Sequence, residues 1–161
     1  MKNLIIVRHA KSSWEEPSRD IERPLTKRGI KDAQLVSSHL NNIIPETYVI
    51  WSSTAKRATE TAAIFAQNLS YPVECIIYND DLYTFNENKL EKIIKMCNNA
   101  FENVILFGHN GAITNFVDKF GDADIENVPT AGVVFIEFDT DDWKKIKKGK
   151  IRKMIFPKDL R

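Results

Sequence analysis

The sequence predicts an α/β fold, a three-layer sandwich with a mostly parallel central sheet and helices on both faces. Three observations carry this. Short continuous β-branched runs alternate along the chain with longer amphipathic segments, the pattern of strand–helix–strand units. The runs are bounded by turn residues rather than linkers, and no internal repeat or low-complexity tract interrupts them. The length of 161 residues suits one core at about 100–200 residues per domain, so residues 1–161 are expected to form a single domain.

The first strand is Leu4-Ile5-Ile6-Val7, short, continuous and largely β-branched. A helix follows over 26–41, with Thr26 as N-cap and Ile30, Ala33, Val36 and Leu40 on its apolar face. Tyr48-Val49-Ile50-Trp51 is the second strand, with Trp51 in the core. The helix over 55–69 places Ala58, Thr61, Ala62, Phe65 and Leu69 on one face. Val73-Glu74-Cys75-Ile76-Ile77 is the expected third strand, and 88–98 a helix with Leu90, Ile93, Ile94 and Cys97 on one side. Val104-Ile105-Leu106-Phe107 is the fourth strand, followed by a helix over 111–120. Two adjacent strands, 132–138 and 150–156, close the chain across a turn-rich stretch.

Composition removes several classes of function. With 43% hydrophobic and 28% charged residues the chain is neither disordered nor fibrous. The net charge of +1 gives no general pull toward nucleic acid or membrane, so neither is an expected partner. The basic run from Lys144 to Lys153 is offset by Asp139, Asp141 and Asp142 and is expected to be a solvated turn. The apolar start stops at Arg8, too short for a signal peptide, which makes the cytoplasm the expected location. Cys75 and Cys97 form no close pair and are expected to be buried thiols.

In sheets of this class ligands bind beyond the carboxyl ends of the strands. Arg8-His9 follows the first strand, Ser52-Ser53 the second with Arg57 just beyond, and Gly108-His109-Asn110 the fourth. Two arginines and two of the three histidines thereby meet on one edge. Guanidiniums offer planar donor forks to phosphate oxygens, and their positive charge keeps an imidazole neutral and nucleophilic. The expected product is a phosphoryl pocket with a histidine aimed at phosphorus. A three-histidine zinc site fits poorly, because His39 lies inside a helix and the arginines would repel a cation. Glycine spacing excludes a dinucleotide or P-loop, and the chain has no Gly-x-Ser-x-Gly elbow.

At these residues the chain resembles a known family. Arg8-His9-Ala10, Ser52-Ser53 with Arg57-Ala58-x-x-Thr61-Ala62, and Gly108-His109-Asn110 resemble the three signature blocks of the histidine phosphatase (phosphoglycerate-mutase-like) superfamily. The run from Arg8 to Trp14, together with Asp20-x-x-Arg23-Pro24-Leu25-Thr26-x-x-Gly29, is similar to its small SixA-type phosphohistidine phosphatase branch. Pro129-Thr130-Ala131-Gly132 and the terminal Pro157-Lys158-x-Leu160 also resemble that branch. The resemblance implies His9 as the transiently phosphorylated nucleophile, with Arg8, Arg57 and His109 holding the phosphoryl oxygens. It implies Arg23 and the backbone N–H of Asn110 as further phosphate ligands, Asp20 as an orienting partner of Arg23, and no metal or cofactor.

Two departures bear on substrate. Ala10 stands where the superfamily signature has Gly. Thr84 stands where many members carry the carboxylic acid that protonates an alkoxide leaving group. Such an acid is worth about 10²–10⁴-fold for an alkyl ester, whereas the imidazole of a phosphohistidine leaves more readily. Asp20, Asp80, Asp81 and Glu87 are the carboxylates that could stand in. Short connections between strands predict a shallow mouth suited to a protein surface. The expected activity is a metal-independent phosphohistidine phosphatase acting on a phosphotransfer or signalling protein. The alternatives are a small-molecule phosphoester phosphatase or mutase, and a non-catalytic phosphate-binding module.

Overall fold

A strand covered on both faces must send alternate side chains into two cores, and the first strand does so. The computed structural model describes residues 1–15 and 18–161. Its strands are β1 (Lys2–Arg8), β2 (Val49–Ser52), β3 (Ile77–Tyr78), β4 (Asn103–Gly108), β5 (Val133–Phe138) and β6 (Lys150–Ile155). Its helices are α1 (Lys27–Ser37), α2 (Lys56–Asn68), α3 (Glu87–Lys95) and α4 (Ala112–Phe120). Leu4 and Ile6 of β1 join a core with Leu90, Ile94, Phe116 and Phe120 of α3 and α4. Ile5 and Val7 join the opposite core with Ala33, Val36, Ala62 and Phe65 of α1 and α2. Each fully buried Ile or Phe in these layers contributes about 1.5–3 kcal/mol.

The sheet order is β3-β2-β4-β1-β5-β6. β1, β2, β3 and β4 run parallel, and β5 runs antiparallel to both β1 and β6. The carboxyl ends of β1, β4 and β2 lie side by side at the sheet centre, with Arg8 opposite Gly108 and Ser52 opposite Phe107. This register places the three predicted blocks together.

Several details differ from the sequence expectation. The expected strand at 73–77 is a 3-10 turn over Val73–Cys75, and β3 keeps only Ile77 and Tyr78. Pro72 opens that turn and accepts from the Cys75 N–H at 2.9 Å, so the backbone is already committed before the edge strand begins. Cys75 is therefore exposed, whereas Cys97 is buried as expected. Ile30 is exposed rather than on the inner face of α1, because the seam runs through Gly29, Ala33 and Val36. A Cβ on Gly29 would lie 2.2 Å from the Lys11 carbonyl oxygen, so glycine lets α1 press against the segment after β1. The first helix also stops at Ser37, where Ser37 and Ser38 hydroxyls turn back onto the carbonyls of Ala33 and Leu35. His39 consequently sits exposed in the following turn, not inside the helix. Trp51 is half-buried against the α3–α4 core.

Candidate active site

Each element delivers its residue through a local bond that the sequence dictates. The ladder of β1 and β4 extends one residue further, the His9 N–H reaching the Gly108 carbonyl at 3.1 Å. The Ala131 N–H braces the same corner by donating to the carbonyls of Arg8 and His9, at 3.0 and 3.1 Å. Ala131 adopts φ 60 to do this, a left-handed conformation that costs a non-glycine residue about 1 kcal/mol. Thr61 of α2 accepts from the Ala10 N–H at 3.0 Å and donates to the Arg57 carbonyl at 2.7 Å. It thus ties the histidine block to the arginine helix.

The structure brings His9 and His109 together with ring centroids 5.2 Å apart. Both are buried. His9 Nδ1 lies 2.7 Å from the Ala10 carbonyl oxygen, an acceptor, so Nδ1 carries the proton and Nε2 keeps its lone pair. Ser53 fixes the other ring. Its Oγ accepts from the Ala55 N–H at 3.2 Å, and its one hydroxyl proton has no acceptor among the described residues but His109 Nε2, at 2.8 Å. That assigns the His109 proton to Nδ1, which is buried and has no partner among the described residues. Neutral His109 therefore still offers an N–H.

Burial pushes His9 down to about 4, reinforced by the charges of Arg57, Arg8 and Arg23 and opposed by the Ala10 carbonyl. Burial likewise pushes His109 down to about 3, reinforced by His9, Arg57 and Arg23 and opposed by Asp20. Both rings are neutral near pH 7, and His9 has the electronic form of a nucleophile.

The arginines surround this pair. Arg8 Nη1 donates to the Val128 carbonyl at 2.9 Å, and Arg57 is almost wholly buried with two bonds to Asp20. Arg23 donates to Ser12 Oγ at 2.7 Å, and its guanidinium lies 3.3 Å from the centre of the exposed Trp14 ring. Arg8 Nε, Arg23 Nη1, Arg57 Nε and His109 Nδ1 are all buried without a partner among the described residues. Buried donors left open are costly, about 1–3 kcal/mol each, and their concentration around one neutral imidazole is the arrangement an oxyanion would complete.

Arg8, His9, Arg23, Arg57 and His109 thus lie near one another. The Asn110 side chain does not join them, since it caps α4 through Thr114 and donates to Asn127 at 2.8 Å. Asp81 turns to Lys89 at 3.8 Å. Thr84 is buried, and its hydroxyl accepts from the Asn86 N–H. The carboxylate that does touch the cluster is Asp20, bonded through Oδ2 to Arg57 and to the Tyr83 hydroxyl. The Tyr83 bond, with Arg57, holds the Asp20 carboxyl below its usual range against the effect of partial burial. Sequence reasoning missed Ser53, Thr61 and Tyr83 as members of the site. Ser53 and Thr61 stood inside the recognised second block, but serine and threonine carry no spacing signal for such supporting roles. A hollow of about 1000 Å³ lies beside the site, lined by Ser13, Pro24, Leu25, Lys27, Arg28 and Lys56 among others, and neither histidine borders it.

Comparison with known proteins agrees with this geometry. The sequence profile of the histidine phosphatase superfamily (branch 1) matches residues 4–83, a stretch that includes Arg8, His9, Arg23 and Arg57. Over that stretch, about half of its length, the chain is similar to the histidine phosphatase superfamily. Its fold is similar to that of the protein histidine phosphatase SixA solved with tungstate, with a TM-score of 0.81, 18% identity and 99% of each chain covered. It is also similar to the native mycobacterial glucosyl-3-phosphoglycerate phosphatase, with a TM-score of 0.69 and 12% identity over 94% of this chain and 97% of that one. In sequence, an uncharacterized chloroplastic protein of Arabidopsis thaliana is 44% identical over 61 residues, 37% of this chain and 28% of that protein. An uncharacterized Mycobacterium tuberculosis protein is 40% identical over 57 residues, 35% of this chain and 36% of that protein. The matched segments therefore span about a third of those curated relatives. No helix among the described residues is long and apolar enough to cross a membrane.

Proposed function

We propose that the chain is a metal-independent phosphatase of the SixA-type branch that hydrolyses phosphohistidine on a phosphotransfer or signalling protein through a phospho-His9 intermediate. The observation that carries this is the state of His9. Its Nδ1–H is bound to the Ala10 carbonyl, leaving an unprotonated Nε2 among the open donors of Arg8, Arg23, Arg57 and His109.

The Nε2 lone pair of His9 attacks phosphorus in line, and the bond from phosphorus to the substrate nitrogen breaks with its electron pair going to that nitrogen. Charge on the equatorial oxygens is met by the arginines and the His109 Nδ1–H. The Ala10 carbonyl stabilises the cationic ring of phospho-His9 through the same Nδ1–H. Water then attacks phosphorus, the electron pair returns to Nε2, and phosphate leaves with the proton lost to solvent. Positive groups dominate this pocket, which suits an oxyanion and disfavours a divalent cation.

Thr84 at the place of the usual acid supports a nitrogen leaving group over an alkoxide. Small phosphoesters are the competing substrates, in keeping with the likeness to the glucosyl-3-phosphoglycerate phosphatase fold. The test is an assay in excess chelator that compares a phosphohistidine peptide with a panel of phosphoesters. Turnover should favour the peptide, His9→Ala should abolish it, and Arg57→Ala should lower it about 10²–10³-fold. A preference for a sugar phosphate, or activity retained in His9→Ala, overturns the proposal.

A further inference from the structure

In-line attack by His9 sends the leaving group to the side of phosphorus opposite Nε2. Exposed side chains border the cluster. The Asp20 side chain is 41% exposed above the almost wholly buried Arg57. The Tyr83 and Phe85 rings stand edge-on to His109, with centroids at 5.3 and 5.6 Å, and Phe85 is half exposed. Trp14 lies flat on Arg23.

These groups do not suit an alkoxide. Asp20 Oδ2 is occupied by Arg57 at 2.9 Å and by the Tyr83 hydroxyl, and its backbone carbonyl takes Arg57 Nη1 at 2.7 Å. A carboxylate fixed by a guanidinium and a phenol accepts protons in hydrogen bonds and donates none. Its Oδ1 has only an ionic contact with Arg23 Nε at 3.4 Å, so lone pairs remain for an incoming donor. Aromatic rings beside it favour a flat cation.

Building on the function proposed above, we infer that Asp20 selects the leaving group: its carboxylate accepts the N–H on the far side of the substrate's phosphorylated imidazolium, with Phe85 and Trp14 flanking that ring. The phosphorus–nitrogen bond then breaks with its electron pair going to the attached nitrogen. The ring departs as neutral imidazole, its far nitrogen keeping the proton it brought. No proton from the enzyme is required, which accounts for Thr84 at the usual acid position. Asp20 also holds Arg57, so a purely positioning role must be told apart. Positioning acts on the phosphoryl group and affects all substrates alike, whereas leaving-group contact affects only those with an N–H.

The experiment compares Asp20→Asn with wild type on a histidine peptide phosphorylated by phosphoramidate and on p-nitrophenyl phosphate, whose leaving group is an anion. The ratio of kcat/KM for peptide over p-nitrophenyl phosphate should fall about 30-fold in Asp20→Asn, the effect of one charge-assisted hydrogen bond. Asp20→Glu should restore part of it. Hydrolysis of p-nitrophenyl phosphate in the same samples reports on folding and on Arg57. In wild type the ratio should fall as alkaline pH removes the imidazolium proton, and in Asp20→Asn it should fall at a lower pH, because the carboxylate no longer holds that proton. Equal losses on both substrates, or none on either, overturn the inference and leave the proposed function standing. A wild-type protein that cleaves p-nitrophenyl phosphate but not the peptide overturns the proposed function itself, before any variant is made.

Discussion

Acid should destabilise this protein through two particular rings. His9 and His109 are held at about 4 and about 3 in the folded state, whereas an exposed histidine titrates near 6.5. Both values lie well below pH 5, so at pH 5 the folded protein leaves both rings neutral while the unfolded chain protonates them. The unfolded state then binds more protons, and stability falls as pH drops below about 6.5. Between pH 7.5 and pH 5 each ring costs about 2 kcal/mol, and the two together about 4 kcal/mol of a total of about 5–15. Urea denaturation at the two pH values measures it. Wild type should lose about 4 kcal/mol, His9→Gln or His109→Gln about half of that, and the double variant little. Added phosphate should recover part of the loss in wild type alone, because a bound anion raises both rings. A flat profile in wild type, or the full loss persisting in the double variant, refutes the burial argument for these histidines.

Ser53→Ala strips His109 Nε2 of its donor, so the ring can place its proton there instead of on Nδ1. We expect kcat/KM on p-nitrophenyl phosphate to fall about 10–10²-fold, with stability lowered by about 1–3 kcal/mol. Gly29→Ala forces α1 away from the Lys11 carbonyl and should cost about 1–3 kcal/mol in chemical denaturation, even though alanine is the better helix former. The two cysteines should separate cleanly in a thiol-labelling experiment. Cys75 is exposed and should react in the native protein, while burial pushes the Cys97 thiol up to about 12 and should delay its labelling until unfolding.

Periodicity carried most of the architecture, because two-sided burial leaves a direct imprint in runs such as Leu4-Ile5-Ile6-Val7. It failed at 73–77, where an apolar composition like that of a strand is overruled by a preceding proline and by position at the sheet edge. It failed again at Ile30, since the choice between two adjacent helical faces was made by the contact of Gly29 with Lys11, 18 residues upstream of it. The charged part of the site was legible because Arg8, His9 and His109 stand where β1 and β4 end and Arg57 opens the helix after β2. The supporting hydroxyls of Ser53, Thr61 and Tyr83 were not, since their roles depend on distances between segments that sequence spacing does not encode. Asn110 illustrates the converse, a polar residue in a recognised block whose side chain serves the helix beginning after it.

The phosphoryl floor grows out of backbone ladders at the middle of the sheet, whereas the rim is assembled from side chains on surface segments around Trp14, Asp20 and Phe85. These two parts answer to different constraints. A substitution under the floor disturbs the whole sheet, whereas the rim is tied to the floor where Asp20 anchors Arg57. An engineer seeking new phosphorylated substrates could therefore randomise Trp14 and Phe85, leave Asp20 in place and keep the same nucleophile.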